Sequence, residues 1–203
     1  LLFGWLREPR TDDQMRSAGW SGVQSIPRVL SLDGHHRLNM VVVPELEAIR
    51  GKHYHADVVT PSGEVKLNLP GAAFDIAAVF DPVYERCRMS FAFASDHGEG
   101  CEITYDAADQ CLKVRNINAY GKPVHSNRVW EISHALDDGE PLKLRILLDG
   151  SVMEIIANDR TSVSNRIYPT QLTEIAVRTK NAQTLDLWEM TSIWNANSYL
   201  ATR

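Results

Sequence analysis

The residues best suited to binding a metal ion are the two histidines of His53-Tyr54-His55. Alternate residues of a β-strand point to the same face, so a strand here would hold both imidazoles side by side. Two imidazoles are half of the ligands that a tetrahedral Zn²⁺ site needs, and no third ligand is suggested nearby in the sequence. We therefore interpret His53 and His55 as solvated linker residues, and we expect the chain to hold no metal and no cofactor.

A second group of potentially catalytic residues lies in the glycine-rich stretch at residues 95–100. Serine, aspartate and histidine follow one another at 95–97, but residues so close in sequence rarely reach the relay geometry of a hydrolytic triad. The glycines at 98 and 100 are not followed by the third glycine and the helix of a nucleotide-binding loop. We expect neither a triad nor a nucleotide site in this stretch.

Hydrolysis of a glycosidic bond needs two carboxyl groups, roughly 5–9.5 Å apart. Acidic residues are plentiful, 26 in all, but most fit a local role that requires no catalysis. Glu102 and Glu154 are expected to be charge partners across strands. Asp149 is expected in a turn, and Glu45 and Glu47 at the start of a helix. We therefore expect no catalytic residue in this chain.

Tryptophan side chains could bind carbohydrate, because an indole ring covers the apolar face of a sugar. The five are Trp5, Trp20, Trp130, Trp188 and Trp194. Packing in the core is the ordinary use of tryptophan and remains the alternative. Trp5 and Trp20 precede the region of regular alternation described below, so we take these two as the candidate substrate-binding residues.

Composition and charge argue against several classes of partner. The formal net charge is −5 and no run of lysine or arginine exceeds two residues, so the concentrated basic surface of a nucleic-acid-binding protein is missing. The longest apolar runs fall far short of the ~20 residues that span a bilayer. Three cysteines without Cys-x-x-Cys spacing, and no Asn-x-Ser/Thr sequon, favour free thiols in a reducing, cytoplasmic compartment, with secretion of a parent protein left open.

The elements that must position these residues are mostly β-strands. From about residue 54 to 195, apolar residues recur at every second position, as at Phe74, Ile76, Ala78 and Phe80. Such alternation gives a strand one apolar face and one polar face. The pattern predicts an all-β fold, an antiparallel two-sheet β-sandwich of the concanavalin- or lectin-like jelly-roll type.

Three hairpins are predicted from turn residues between these strands. The turns are Asp149-Gly150, residues 106–109 and residues 181–183. Each turn places opposite charges across from one another, a pairing that stabilises antiparallel strands. The charged pairs are Arg145 with Glu154, Glu102 with Lys113, and Arg178 with Asp186.

The chain divides into three zones by texture. Residues 1–32 are extended pieces interrupted by a charged loop over 7–16, and residues 33–53 form a linker. The linker contains a strand over 38–43 and a short helix over 44–50, which begins at Pro44 and stops at Gly51. Proline suits the first turn of a helix, and glycine suits its end. Residues 54–203 form the sandwich.

Several segments, in this order, resemble glycoside hydrolase family 32, the invertases, fructanases and sucrose-6-phosphate hydrolases. The segments "LLFGWLREPR", "GWSGVQSIPRVLSL" and "PELEAIRG" resemble the exit from the five-bladed catalytic propeller of that family. The segments "LKLRILLDGSVMEIIAND" and "SNRIYP" are similar to its carboxy-terminal sandwich. The resemblance implies that residues 1–32 are the last strands of a truncated propeller.

The catalytic motifs of such enzymes are not matched here. Their nucleophile lies in Asn-Asp-Pro-Asn-Gly, a second aspartate in Arg-Asp-Pro, and the acid/base in Glu-Cys. In this chain Asp81-Pro82 follows Phe80, and Glu85 is separated from Cys87. The resemblance therefore implies a non-catalytic module of an enzyme acting on sucrose, sucrose 6-phosphate or fructan.

The resemblance also implies partners. The first is the propeller of the same protein, which the sandwich would stabilise. Apolar residues in 1–32 would lead a chain lacking that propeller to self-associate, and carbohydrate contact stays open. The alternative is a stand-alone, lectin-like carbohydrate-binding sandwich, and a pure assembly domain is a third hypothesis.

Overall fold

The fold is built almost entirely from β-strands. The computed structural model describes residues 1–57, 64–81, 86–93, 99–118, 129–168 and 174–193. The strands are β1 Trp5–Leu6, β2 Val23–Gln24, β3 Arg28–Leu32, β4 Leu38–Val42, β5 Arg50–Asp57, β6 Glu64–Pro70, β7 Ala73–Phe80, β8 Arg86–Phe93, β9 Glu99–Asp106, β10 Cys111–Asn118, β11 Val129–Ser133, β12 Leu142–Asp149, β13 Val152–Ala157, β14 Thr161–Arg166, β15 Glu174–Lys180 and β16 Ala182–Met190. An α-helix, α1, covers Asp12–Ala18, and a 3₁₀ helix covers Pro44–Ile49.

Twelve of these strands form two six-stranded antiparallel sheets. Sheet I has the order β11-β10-β9-β8-β15-β6, and sheet II has the order β14-β13-β12-β7-β16-β5. One continuous apolar core lies between them, because the inward residues of both sheets belong to the same buried cluster. The predicted antiparallel two-sheet sandwich is confirmed.

The core follows the alternation in the sequence. On β7, Phe74, Ile76, Ala78 and Phe80 are at most 1 % exposed and face sheet I, as predicted. Burying a large apolar side chain stabilises the fold by about 1.5–3 kcal/mol relative to leaving it in water. The opposite face of sheet II, its outer face, carries the polar groups discussed below.

The cysteines are free thiols, as expected. Cys87 and Cys101 are buried and Cys111 is partly buried. Burial raises the pKa of Cys87 to about 11 and that of Cys101 to about 12, so both stay protonated at neutral pH and lack the thiolate that makes a cysteine reactive.

Residues 1–43 lie outside the two sheets. They form two small antiparallel ribbons, β1 with β2 and β3 with β4, joined by a bridge between Leu2 and Arg28. The expectation of a charged loop over 7–16 was wrong, because α1 begins there. Thr11 and Gln14 form a reciprocal capping box at its start, and Gly19 ends it in the left-handed conformation; both signals were present in the sequence.

Two predicted hairpins exist, but with a register two positions away from the prediction. The turn between β12 and β13 is Gly150-Ser151, so Arg145 lies across from Ile156 and not from Glu154. The loop between β9 and β10 runs from 107 to 110, so Glu102 lies across from Arg115 and not from Lys113. Gly150 and Gln110 have positive φ angles, 54° and 48°, which fixes the turns there.

The third predicted hairpin does not exist. β15 lies in sheet I between β8 and β6, whereas β16 lies in sheet II between β7 and β5. The chain crosses from one sheet to the other at Asn181, whose φ is 67°. Arg178 is therefore across from Lys66 and Ser90, and it never meets Asp186.

The linker is shorter than predicted. The expected helix over 44–50 is a 3₁₀ helix that ends at Ile49, and Arg50 already belongs to β5. Gly51 lies inside β5 and does not stop the helix. Within the part of the chain that the structure describes, no helix has the length and apolar character needed to cross a bilayer.

Candidate functional site

Residues 1–43 pack on the outer face of sheet II. A small apolar cluster joins them: Val42 of β4 is buried together with Leu147 of β12 and Ile156 of β13. Ile26 and Leu46 pack against this cluster from the side. The outer face of a sandwich sheet is ordinarily solvated, so apolar residues at outward positions mark a surface that another segment covers.

A buried ion pair lies beside this cluster. The guanidinium of Arg28 on β3 contacts the carboxylate of Glu154 on β13, with side chains 8 % and 0 % exposed. Arg28 Nη1 donates to Ser162 Oγ at 2.9 Å, and Ser164 Oγ donates to Glu154 Oε2 at 2.7 Å. Arg28 Nε and Glu154 Oε1 find no hydrogen-bond partner. The pair connects residues 126 positions apart.

A second carboxylate, Glu8, ties the start of the chain to β14. Arg10 donates to both Glu8 oxygens, from Nε at 2.9 Å and from Nη2 at 2.8 Å. The Tyr168 hydroxyl donates to the same carboxylate, and Arg166 lies 3.5 Å away. Burial by itself would raise the pKa of Glu8, but the hydrogen bonds from Arg10 and Tyr168 lower this pKa from 4.5 to about 2.

We expect the stabilisation by Glu8 to disappear in acid. A pKa that is lower in the folded state stabilises the fold above the unfolded-state pKa, and this stabilisation is lost as the pH falls towards about 2. At 1.36 kcal/mol per pKa unit, the carboxylate contributes on the order of 3 kcal/mol at neutral pH. Urea unfolding of the wild-type chain and Glu8→Gln should differ by this amount at pH 7 and by less than about half of it at pH 3. A difference in unfolding free energy between the wild type and Glu8→Gln that is the same at pH 7 and pH 3 would contradict the assignment.

The candidate sugar-binding residues Trp5 and Trp20 both lie in the segment that precedes the two sheets, and each has its own neighbours. Trp5 is 68 % exposed on β1, and its ring lies so close to Gly22 that a Cβ there would be 2.3 Å from Cζ2. Trp20 is 41 % exposed, and the Arg10 guanidinium lies 4.0 Å from its ring centroid. Trp20 also lines an open groove of about 450 Å³ with Met15.

A buried carboxylate in the middle of the outer face joins the linker to sheet II. Asp75 on β7 is fully buried, and it accepts hydrogen bonds from Arg50 Nε at 2.8 Å and from Arg145 at 3.1 and 2.9 Å. Glu47 of the 3₁₀ helix lies 3.6 Å from Arg50 and 3.8 Å from Arg145. The network therefore runs from the linker into the sheet.

The two histidines singled out in the sequence meet a third polar group. His53 Nε2 lies 2.8 Å from Asp186 Oδ1, and His55 Nδ1 lies 2.7 Å from the same oxygen. All three residues are on the outer face of sheet II at its β5 edge, with ligand atoms within 4.8 Å of one another. The interpretation of His53 and His55 as linker residues was wrong. Asp186 is 131 positions from His55, and the hairpin predicted at 181–183, which does not exist, had placed Asp186 across from Arg178.

The comparison with protein families decides what kind of domain this is. The family model described as glycosyl hydrolases family 32 C terminal matches residues 45–195, which is most of the chain. The chain belongs to this family. The matched residues contain the 3₁₀ helix, from its second residue, and all of the strands of both sheets, so the sandwich is the family 32 C-terminal domain.

Individual proteins that resemble this chain agree with the family assignment. It is 26 % identical to the acid beta-fructofuranosidase of Vicia faba, over 95 % of this chain and 38 % of the relative. It is 25 % identical to the 6(G)-fructosyltransferase of Asparagus officinalis, over 96 % of this chain and 40 % of the relative. An exo-inulinase structure from Aspergillus awamori superposes with a TM-score of 0.70 at 17 % identity, covering 95 % of this chain and 40 % of that one. The chain thus spans about two fifths of each.

The buried carboxylates of this family 32 domain are engaged in ion pairs. Among the described residues, the buried acidic residues are Asp75, Glu102 and Glu154, and the side chain of Glu8, paired with Arg10, is also only 4 % exposed. Glu102 contacts Arg88 and accepts from Arg115 Nε at 2.6 Å, and the other two buried residues are paired as given above. The triad residues considered at 95–97, and Pro82 and Glu85, lie outside the described residues.

Proposed function

We propose that this chain is the non-catalytic C-terminal part of an enzyme acting on β-fructosides, and that its sandwich holds a catalytic propeller in place. Residues 1–32 would then be the last strands of that propeller, and the linker, expected over 33–53, would end at Ile49, because the sandwich begins with β5 at Arg50. The substrate class comes from the resemblance to family 32 enzymes, and the names of the relatives include both a hydrolase and a transferase.

One observation carries the proposal: residues 1–43 contact the sandwich through buried residues and also expose several large apolar side chains. The segment contacts the outer face of sheet II through Val42 and Arg28. Large apolar residues of the same segment are nevertheless exposed, namely Leu1, Leu2, Phe3, Trp5, Leu30, Leu32 and Leu38. A two-stranded ribbon is only marginally stable in water, and an exposed apolar surface of this kind marks a contact with another structure.

The experiment is a complementation assay. The propeller encoded with this chain and the chain itself are made separately, and sucrose and inulin cleavage is measured for each alone and for the mixture. We expect no cleavage by the chain, and cleavage by the mixture above that of the propeller alone. Analysis of the products by chromatography separates hydrolysis from fructosyl transfer. Cleavage by the chain alone would contradict the proposal, as would a mixture no more active than the propeller.

We expect the chain without its propeller to self-associate through the exposed apolar residues of the segment 1–43. The apolar side chains of Phe3, Trp5 and Leu32 are 54 %, 68 % and 64 % exposed, and covering them by a second copy removes apolar surface from water. Light scattering should show a mass that rises with concentration, and the triple substitution Phe3→Ser, Trp5→Ser, Leu32→Ser should reduce the rise. A wild-type chain that stays monomeric at high concentration would contradict this expectation.

Carbohydrate contact by Trp5 and Trp20 stays a prediction. Both rings remain partly exposed. Gly22 lies against the Trp5 ring, and the guanidinium groups of Arg10 and Arg166 lie 4.0 and 5.3 Å from the centroid of the Trp20 ring. Titration of the chain with inulin, followed by tryptophan fluorescence, should give a response that Trp5→Ala and Trp20→Ala weaken. Saturable binding by residues 54–203 alone would favour a lectin-like role instead.

A further inference from the structure

We propose that His53, His55 and Asp186 form a Zn²⁺ site on the outer face of sheet II. The three ligand atoms, two imidazole nitrogens and one carboxylate oxygen, lie within 4.8 Å of one another. Two nitrogens and one oxygen are a ligand set that Zn²⁺ accepts, with water in the fourth position. Mg²⁺ and Ca²⁺ require mostly oxygen ligands, so this set disfavours them.

The sheet itself sets the spacing of the ligands. In the pairing of β5 with β16, His55 lies directly across from Asp186, and His53 lies across from Trp188. His53 and His55 are alternate residues of one strand, so their side chains share a face. The backbone therefore holds all three ligands together without any loop having to order when the metal binds.

The side chains need only a small adjustment. Ligands about 2.0–2.1 Å from a tetrahedral Zn²⁺ ion are about 3.4 Å from each other. The present distances from the two histidine nitrogens to Asp186 Oδ1 are 2.8 and 2.7 Å, so each histidine nitrogen must move away from that oxygen by roughly 0.6–0.7 Å. The two imidazole nitrogens, which lie within 4.8 Å of each other, must reach the same spacing. The histidine side chains are 45 % and 46 % exposed, which gives the ion a path from solvent.

Neighbouring residues hold His53 in place. The His53 ring is stacked on Trp188, with centroids 4.7 Å apart and planes within 5°. The Arg50 guanidinium lies 4.0 Å from the centroid of the same indole ring, and Asp75 binds Arg50 at 2.7 Å. The carboxylates of Asp75 and Glu47 together offset the positive charges of Arg50 and Arg145, which would otherwise oppose a cation nearby.

The consequence of the bound ion would be to hold the edge of the sheet closed. β5 is the last strand of sheet II and directly follows the linker helix. An ion coordinated by two residues of β5 and one of β16 cross-links these two strands. The site thus stabilises the junction at which the linker enters the sandwich.

The test is a calorimetric titration of the metal-free chain with ZnCl₂. We expect one ion per chain, and His53→Gln, His55→Gln and Asp186→Asn should each weaken binding more than about tenfold, since even residues that only support metal ligands matter that much. The control is the double substitution His35→Gln, His36→Gln, which removes two exposed histidines of a turn and should leave binding unchanged.

A second readout is thermal unfolding with and without Zn²⁺. Binding to the folded chain raises its unfolding temperature, and this rise, measured for each protein against its own sample in EDTA, should disappear in the double substitution His53→Gln, His55→Gln. Equal Zn²⁺ binding by this variant and the wild type would overturn the proposal, as would no binding by the wild type. Loss of binding in the His35, His36 control would overturn it too.

Discussion

Substituting glutamine for Glu154 lowers the free energy of unfolding by about 3–5 kcal/mol, the effect of removing one partner of a buried ion pair. The substitution leaves the Arg28 guanidinium, 8 % exposed, without its counter-charge at the contact between residues 1–43 and sheet II. Ser164 also loses the carboxylate to which it donates. Urea unfolding at pH 7, followed by tryptophan fluorescence and circular dichroism, measures the change.

The double substitution Arg28→Met, Glu154→Leu separates charge from packing. Replacing a whole buried pair by apolar residues is often neutral or stabilising, and two polar atoms of this pair already lack hydrogen-bond partners. We therefore expect the double variant to recover most of the stability that Glu154→Gln loses. The control is Arg16→Gln, which breaks an ion pair whose side chains are 76 % and 94 % exposed and should change little. A double variant as unstable as the single one would contradict this account.

Asp75→Asn has the second large effect, again about 3–5 kcal/mol. Its carboxylate is fully buried between Arg50 and Arg145, whose side chains are 19 % and 23 % exposed. An amide carries no charge and can accept at only one atom, so both arginines lose their buried counter-charge and keep only the more distant Glu47. Asp149→Asn, at an exposed position on the adjacent strand β12, is the matched control.

The same substitution should loosen the linker. Arg50 is the first residue of β5, and only Asp75 and Glu47 pair with its charge among the described residues. Hydrogen exchange should therefore speed up at residues 44–52 in Asp75→Asn and not in Asp149→Asn. Equal stability and equal exchange in the two variants would show that the network does not join the linker to the sheet.

Strand faces could be predicted from the sequence, but strand register could not. Alternation at Phe74, Ile76, Ala78 and Phe80 depends only on which face is buried, and burial confirmed it. A register shift of two positions keeps every side chain on its face. The β12–β13 and β9–β10 pairs differ from the prediction by such a shift, so alternation could not detect it.

The contacts that define the candidate site were outside the reach of local patterns. Arg28 and Glu154 are 126 positions apart, Glu8 and Tyr168 are 160 apart, and His55 and Asp186 are 131 apart. These pairs arise only once the sheet order is known. The crossing at Asn181 placed β15 and β16 in different sheets, and no charge pairing in the sequence could reveal it. Helix α1 could have been predicted from the sequence, because Thr11 and Gln14 form a local capping-box pattern that marks its start.

The most direct test of the central claim is whether the exposed apolar residues of the segment 1–43 bind a propeller. Sedimentation velocity on a mixture of this chain and the separately produced propeller should show a one-to-one complex. The double substitution Phe3→Asp, Trp5→Asp, at positions 54 % and 68 % exposed, should abolish the complex while leaving the fold of the sandwich unchanged. Separate sedimentation of the two wild-type proteins, or an equally stable complex with the charged variant, would contradict the account.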